Sequence, residues 1–400
     1  MTRKEFLTHV GTLGLSAPFL SYLLSACDDD DLFFPEFDVN FSGKVLVIGA
    51  GAAGLLAGHV LNRYNIDFEI LEASPQYGGR VKEISDFADF PIDLGAEWIH
   101  TDPNVLARLL NDRDTRAEIE FINYAPDTLN IWKNGKLQKR NFFTNFYGEY
   151  KFKNTTWFNF FDRYIAPPIW DRIRYEHPVV EIDYSGNQVA VTTLSGETFE
   201  ADRIILTVPL TQLKNNSIRF LPNFPPEKQN ALDQVEMPDG IKVFIEFSER
   251  FYPDLLFFEG LFGILDSSQG ERIYYDAAFR KDSQRNILGL FTVGDPATPY
   301  AQITDDDELI QFMLAELDEI FEGRPSQLYL KHITQNWTQT PYIQGSYSHY
   351  QSDGAKEILT QPIENKIFFA GEAYAGDEST VHGAGESAYV AVERILRGIG

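Results

Sequence analysis

The run KVLVIGAGAAGLLAGHVLNRYNIDFEILE, from Lys44 to Glu72, limits what this chain can fold into more than any other stretch. An apolar, β-branched segment, Lys44 to Ile48, feeds directly into Gly49, Gly51 and Gly54. A helix-compatible segment follows, and a second apolar run, Phe68 to Leu71, ends on Glu72. This order predicts a strand–turn–helix–strand unit. Gly49 permits the tight turn, Gly51 lets the backbone approach a pyrophosphate, and Gly54, beside Ala53, lets the helix pack closely on the strand. The helix N-terminus turns free N–H groups and a positive dipole end towards the phosphates. Glu72, 21 positions past Gly51 and followed by Ala73, stands where an acid binds ribose hydroxyls. A glycine-rich turn in an ordinary α/β unit would account for the glycines alone. The flanking strands and the terminal acid make the pattern a dinucleotide site.

Four hundred residues predict two or three domains, and 44% apolar with 14% aromatic content supplies ample core. The chain carries 59 acids against 34 bases, a net charge of −25. That balance excludes nucleic acid bound through a phosphate footprint. It suits attraction of small cationic substrates, and equally plain solubility. Seven His and one Cys leave no zinc or iron–sulfur cluster and no disulfide within the chain.

Arg3 and Lys4 open a basic start, and Val10 to Ala26 is apolar and rich in small residues, with Pro18 inside it. It closes on Leu24-Ser25-Ala26-Cys27, which resembles the bacterial lipobox, whose Cys is lipidated. Thr2 to Leu7 resembles a twin-arginine export signal with Lys4 in place of the second arginine. The expectation is a signal peptide over 1–27 and an acidic tether over 28–42. The protein would then be exported and attached outside the cytoplasm by the Cys27 lipid, on the periplasmic face or cell surface, with no transmembrane span of its own.

Further along, the strand-like runs Arg203 to Val208, Ile241 to Phe247, Ile287 to Val293 and Lys366 to Ala370 alternate with helical stretches at Asp305 to Phe321 and Val381 to Leu396. The aromatic density from Phe142 to Trp170 reads as core or as the wall of an apolar tunnel. Nucleotide signals recur at both ends and near the middle. The expected division is therefore 43–100, 179–240 and 346–400 for the nucleotide domain, with 101–178 and 241–345 as an inserted substrate domain.

The ordered set GxGxxG, Glu72, Gly78-Gly79-Arg80, LGAEWIH, TVPL, FAGE and TVHGA resembles the FAD-dependent amine oxidase superfamily, over residues 43 to about 398. The resemblance implies an α/β fold, with a Rossmann-type FAD-binding domain assembled from discontinuous segments and an inserted α+β substrate domain. It implies that Gly79 and Arg80 hold the pyrophosphate, and that Gly95, Ala96, Glu97 and Trp98 run against the flavin. Val179 would meet the adenine, Gly371 and Glu372 the ribityl–pyrophosphate, and Thr380 and Val381 the flavin edge. Lys242 would hold a water against flavin N5, although period-2 alternation alone would equally let it face solvent. His100 would lie beside the substrate or serve as a structural His. Trp337 would wall the flavin site or fill core, and Tyr374 would face the flavin. The family's monoamine oxidases carry Tyr where this chain has Thr380, which argues against small aromatic monoamines. They attach FAD through a Cys; with Cys27 alone in this sequence, non-covalent FAD is expected.

The implied activity is oxidation of a small cationic amine, polyamine-like or another primary or secondary amine. Hydride passes to FAD, the imine hydrolyses to an aldehyde, and O2 is reduced to H2O2. The same fold also serves desaturases and dehydrogenases that pass electrons to a quinone. A surface lipoprotein that keeps FAD without turnover is the reading from outside enzymology.

Overall fold

A computed structural model of the chain describes residues 33–112, 118–140, 149–258 and 270–399. The signal segment with Cys27, and 28–32 of the tether, lie outside the described residues. So do 141–148 of the aromatic stretch.

The predicted unit forms. β1 (Lys44–Ile48) and β2 (Asp67–Leu71) are parallel, from Lys44 opposite Asp67 to Ile48 opposite Leu71, and α1 (Ala52–Arg63) joins them. Val45 to Ile48 are all buried, as a parallel strand covered on both faces requires. Gly49 adopts φ +104°, a turn that suits glycine. A Cβ on Gly54 would lie 1.9 Å from the Gly49 carbonyl oxygen, so only glycine lets α1 start there.

The whole sheet has five parallel strands, in the order Ile173–Arg174, β2, β1, Arg203–Leu206, Ile367–Phe369. The long helix α2 (Val381–Arg397) crosses α1 at Gly385, where a Cβ would stand 2.4 Å from Leu56 Cδ1. Thr380 caps α2 by accepting from the Gly383 N–H, and Gly398 at φ 70° ends it. A four-stranded sheet, Thr198–Ala201, Val189–Thr193, Val179–Asp183 and Arg219–Leu221, completes this half.

Two expectations need correction. Part of the tether is docked: the Phe34 ring stacks on Tyr389 of α2 at 3.7 Å, and the Asn40 N–H donates to Leu396 O at 2.7 Å. The segment 101–178 also does not belong wholly to the inserted unit. Leu106 and Leu109 share one core with β1, α1 and α2, as do Trp157, Phe160, Phe161, Ile165 and Ile169. Ile173–Arg174 joins the parallel sheet itself. The described aromatics of this stretch are therefore mainly core and not a tunnel wall; Trp170 is the exposed exception.

The other half centres on a seven-stranded sheet. Beside it, β3 (Tyr150–Phe152) pairs with Trp98–Ile99 and Phe121–Asn123. The large sheet runs Tyr329–Asn336, β4 (Gly240–Phe247), Asn286–Gly294, β5 (Gly270–Asp276), Leu255–Phe258, Leu129–Lys133, Lys136–Arg140. One face of β4, Ile241, Val243 and Ile245, packs under the helix Asp306–Ile320. The opposite face, with Phe244, meets Phe87, Phe90, Ile92 and Leu94. β4 thus has no solvent face at all.

Because Phe161 fills the core beneath α1, Phe161→Ala should lower the unfolding free energy by about 3–5 kcal/mol in a urea titration. Wild-type stability would show that this cluster is not core.

Candidate active site

The nucleotide cradle is built from backbone geometry. The Gly78 N–H donates to Ala50 O at 2.8 Å, which sets Gly78 beside Gly51. A Cβ on Gly51 would meet nothing closer than Gly78 O at 3.9 Å, so the turn stands open above the first turn of α1. The Glu72 carboxylate accepts from the Ala50 N–H at 2.7 Å and the Ser74 N–H at 2.8 Å. Those bonds hold it at the β2 end, level with the turn.

Arg80 ties distant parts of the chain together. Its Nη1 donates to Ser346 O at 2.7 Å and to Glu372 Oε1 at 2.9 Å. Glu372 also accepts from Ser348 Oγ at 2.6 Å. Gly371, at φ +148°, donates its N–H to Ser387 Oγ at 2.9 Å. Ser346, Ser348 and Ser387 carried no signal as site residues in the sequence, because a lone Ser fits any loop.

The Gly95–Trp98 segment lies directly against Arg80 and Trp337. A Cβ on Gly95 would stand 1.8 Å from Arg80 O and 3.1 Å from Trp337 Cζ2. The Ala96 N–H donates to Arg80 O at 3.2 Å. Trp337 is buried, and its Nε1 donates to Leu94 O at 3.1 Å. Val179 begins its strand half-buried. Tyr374 packs near Phe369, and its buried hydroxyl meets no hydrogen-bond partner among the described residues. His382 sits buried in α2, 3.4 Å from Asp377 Oδ2, a structural place.

Lys242 is 2% exposed, on the inward face of β4 shared with Phe244. The solvent-facing alternative fails because the strand is covered on both sides. Its Nζ donates to Asp93 O at 2.7 Å, Gly95 O at 3.1 Å and Glu97 Oε2 at 2.7 Å. Burial pulls its pKa down, and Glu97 opposes that pull. Glu97 turns its carboxylate inward as well. Its Oε1 meets Lys151 Nζ of β3 at 2.5 Å, and the Tyr275 hydroxyl of β5 donates to Oε2, the oxygen that Lys242 also holds. Burial alone would raise the Glu97 pKa, but Lys151 and then Lys242 hold it down at about 2. Any cofactor contact from Glu97 is therefore left to its backbone.

His100 is partly exposed, and its Nδ1 lies 2.9 Å from Glu149 Oε1. Burial lowers its pKa, but the Glu149 hydrogen bond and charge, helped by Glu271, outweigh this and raise it. Glu271, on β5, bonds Tyr347 and is itself pushed up, first by burial. Among the described residues no cluster of His, Cys, Asp and Glu is arranged to hold a metal. No described helix is long and apolar enough to cross a membrane.

Residues 161–396 match the family model for flavin containing amine oxidoreductase, more than half of the chain. The chain belongs to this family. Residues 47–112 match an NAD(P)-binding Rossmann-like domain. Human lysine-specific histone demethylase 2 is 24% identical, over 93% of this chain; the chain spans about half of that relative's length (54%). Polyamine oxidase 3 of Oryza sativa subsp. japonica is 26% identical, over 88% of each chain. A solved putrescine oxidase structure, with putrescine bound, superposes with a TM-score of 0.73 at 14% identity, over 89% of this chain and 99% of that one. That likeness shows the fold.

FAD is the cofactor of this member of the flavin containing amine oxidoreductase family. The residues fit it: an open glycine turn at a helix N-terminus for the pyrophosphate, a fixed acid for the ribose, and a planar guanidinium two residues past Gly78, which pairs with that turn.

Arg80→Ala should raise the FAD dissociation constant tenfold or more, about 1.4 kcal/mol, read by flavin fluorescence on dilution. An unchanged constant would remove Arg80 from the cradle. The raised pKa of His100 makes its pairing with Glu149 stabilising below pH ~6.5, a contribution lost as pH rises through the raised value. His100→Gln should therefore lower Tm at pH 6 and converge on wild type in alkali. A pH-independent gap would separate His100 from Glu149.

Proposed function

We propose that the chain oxidises a di- or polyamine-like amine, using O2 as acceptor and releasing an aldehyde, a smaller amine and H2O2. The observation that carries this reading is Lys242, a buried cation set against the Gly95–Trp98 backbone where the family resemblance puts the flavin ring. When bound, non-covalent FAD supplies the acceptor for a hydride from the carbon next to the amine nitrogen. The C–H pair leaves as hydride, the nitrogen lone pair closes a C=N bond, and water then splits the iminium.

The protein's part begins with the amine's proton. A free alkylamine has pKa near ~10.4 and must be neutral at the reacting nitrogen before hydride can leave. Apolar walls such as Trp337 favour that neutral form. Glu149 and Glu271, set around His100, have the charge to hold a second, distal ammonium, which a monoamine lacks. The nearness of rice polyamine oxidase 3 in sequence supports the same substrate class.

Export belongs to the same proposal. The lipobox-like Leu24–Cys27 supports a place outside the cytoplasm on a lipid anchor. Cys27→Ser should move it from the membrane fraction to the soluble fraction; retention at the membrane would reject the anchor.

Anaerobic mixing with spermidine, putrescine, amino acids and aromatic amines should bleach the flavin only with the di- and polyamines. Lys242→Met should slow bleaching by roughly 10²-fold or more, within the range that loss of one preorganised electrostatic group costs. Admission of air should then yield one H2O2 per flavin. Bleaching by none of these amines would sink the oxidase reading, and reoxidation only by a quinone would replace O2 as acceptor.

A further inference from the structure

Beneath the Gly95–Trp98 segment lies a buried charge cluster larger than the single expected lysine. Glu97 contacts Lys242 at 2.7 Å, Lys151 at 2.5 Å and the Tyr275 hydroxyl. All four side chains are almost wholly buried. Lys242 also donates to Asp93 O and Gly95 O, so the three N–H groups of its ammonium are taken by three protein acceptors. A water at the flavin side would have to displace one of them. Two lysines thus share one firmly ionised carboxylate, each of them only 2% exposed.

We propose that Glu97 is a positioning residue for Lys242. As the shared counter-ion of Lys242 and Lys151, it locks the Lys242 ammonium into the loop carbonyls and makes it a fixed positive charge behind the flavin-facing backbone. The proposal rests on the reading above that FAD lies along Gly95–Trp98.

The groups around Lys242 are these. The 93–98 segment presents Glu97, the Asp93 and Gly95 carbonyls, and the Asp93 carboxyl, which burial and then Glu97 push up. β3 presents Lys151, and β5 presents Tyr275. Phe244 and Trp98 present ring faces, 5.1 Å and 5.6 Å from Nζ. Lys281 shares a small cavity with Asp93, Glu97 and Lys151, and burial brings its pKa down to about 8. On the other side Gln335, opposite Lys242 in the sheet, is held by Lys82 Nζ at 2.7 Å. Among these, Glu97 is the one carboxylate that touches both lysines. Without it, burial and the nearby Lys151 charge would drive the proton off Lys242.

The test is the flavin midpoint potential as a function of pH, measured by dye equilibration on FAD-loaded protein, which needs no amine. Wild type should show a break where Lys242 loses its proton, and Lys242→Met should abolish it. Glu97→Gln should move that break down by about one pH unit or more, and Glu97→Asp should restore part of the shift. Lys151→Met leaves Glu97 to Lys242 alone and should move the break up. This opposite shift decides the matter even where Glu97→Gln fails to fold. If Lys242→Met keeps the break, Lys242 does not sense the flavin, and both this proposal and the reading beneath it fall. If Lys242→Met abolishes the break but it stays put in Glu97→Gln or in Lys151→Met, Glu97 is only structural and the oxidase reading stands.

Discussion

One guanidinium joins the two ends of this chain. Arg80 reaches Ser346 O and Glu372, residues that lie far away in sequence, and its own carbonyl receives the Ala96 N–H. Charge-assisted bonds of this kind are short, directional and stronger than neutral ones. Here they fix the glycine turn after β2, the Gly95–Trp98 segment and the Gly371–Glu372 turn in one frame. Each of these was expected at the cofactor on separate grounds. Gly95 shows how tight the frame is, since a single methyl group there would overlap the Arg80 carbonyl.

Within that frame, buried polarity is concentrated in one place. A lone carboxylate or ammonium in a protein interior costs several kcal/mol, and pairing offsets this only when nearly every donor and acceptor is used. In the Glu97 cluster the carboxylate is held from β3, β4 and β5, and Lys242 is held by the 93–98 loop as well. The cluster sits where the two halves of the molecule meet, so the charges also fix how the large sheet lies against the 93–98 loop. Removing one member leaves an uncompensated charge, whereas an apolar core tolerates a shape-preserving change.

Much of the fold was legible in the sequence. β1, α1 and β2 follow from a period and three glycines, and β4 and α2 from apolar patterning. Backbone geometry in the candidate site was legible where a motif implied it, as in the positive φ of Gly49 and Gly371 and the close approach at Gly95. Side-chain direction was not. Lys242 in an apolar strand fits either face until the sheet is seen to be covered on both. Lys151, Tyr275 and Lys281 carry no local pattern, and only the pairing of β3 and β5 brings them to Glu97. The division of 101–178 was misjudged for a related reason. Aromatic density reports burial but does not say in which core, and Trp157 to Ile169 fill the nucleotide half.

The order of the strands in the parallel sheet bears on how the holoenzyme comes to exist. One of its two edge strands is Ile367–Phe369, and the helix that packs on α1 follows that strand in sequence. The unit at residues 44–72 takes its sheet neighbours, Ile173–Arg174 and Arg203–Leu206, from far along the sequence, and its helix partner α2 from farther still. Such long-range pairing is slow to form and leaves an exposed strand edge in the meantime. The cradle is complete only when Glu372, which Arg80 holds, has joined it across that distance, and cofactor loading depends on this pairing. Any machinery that moves this chain unfolded must deliver it to a compartment where FAD is waiting, whereas machinery that moves folded proteins can carry the flavin along.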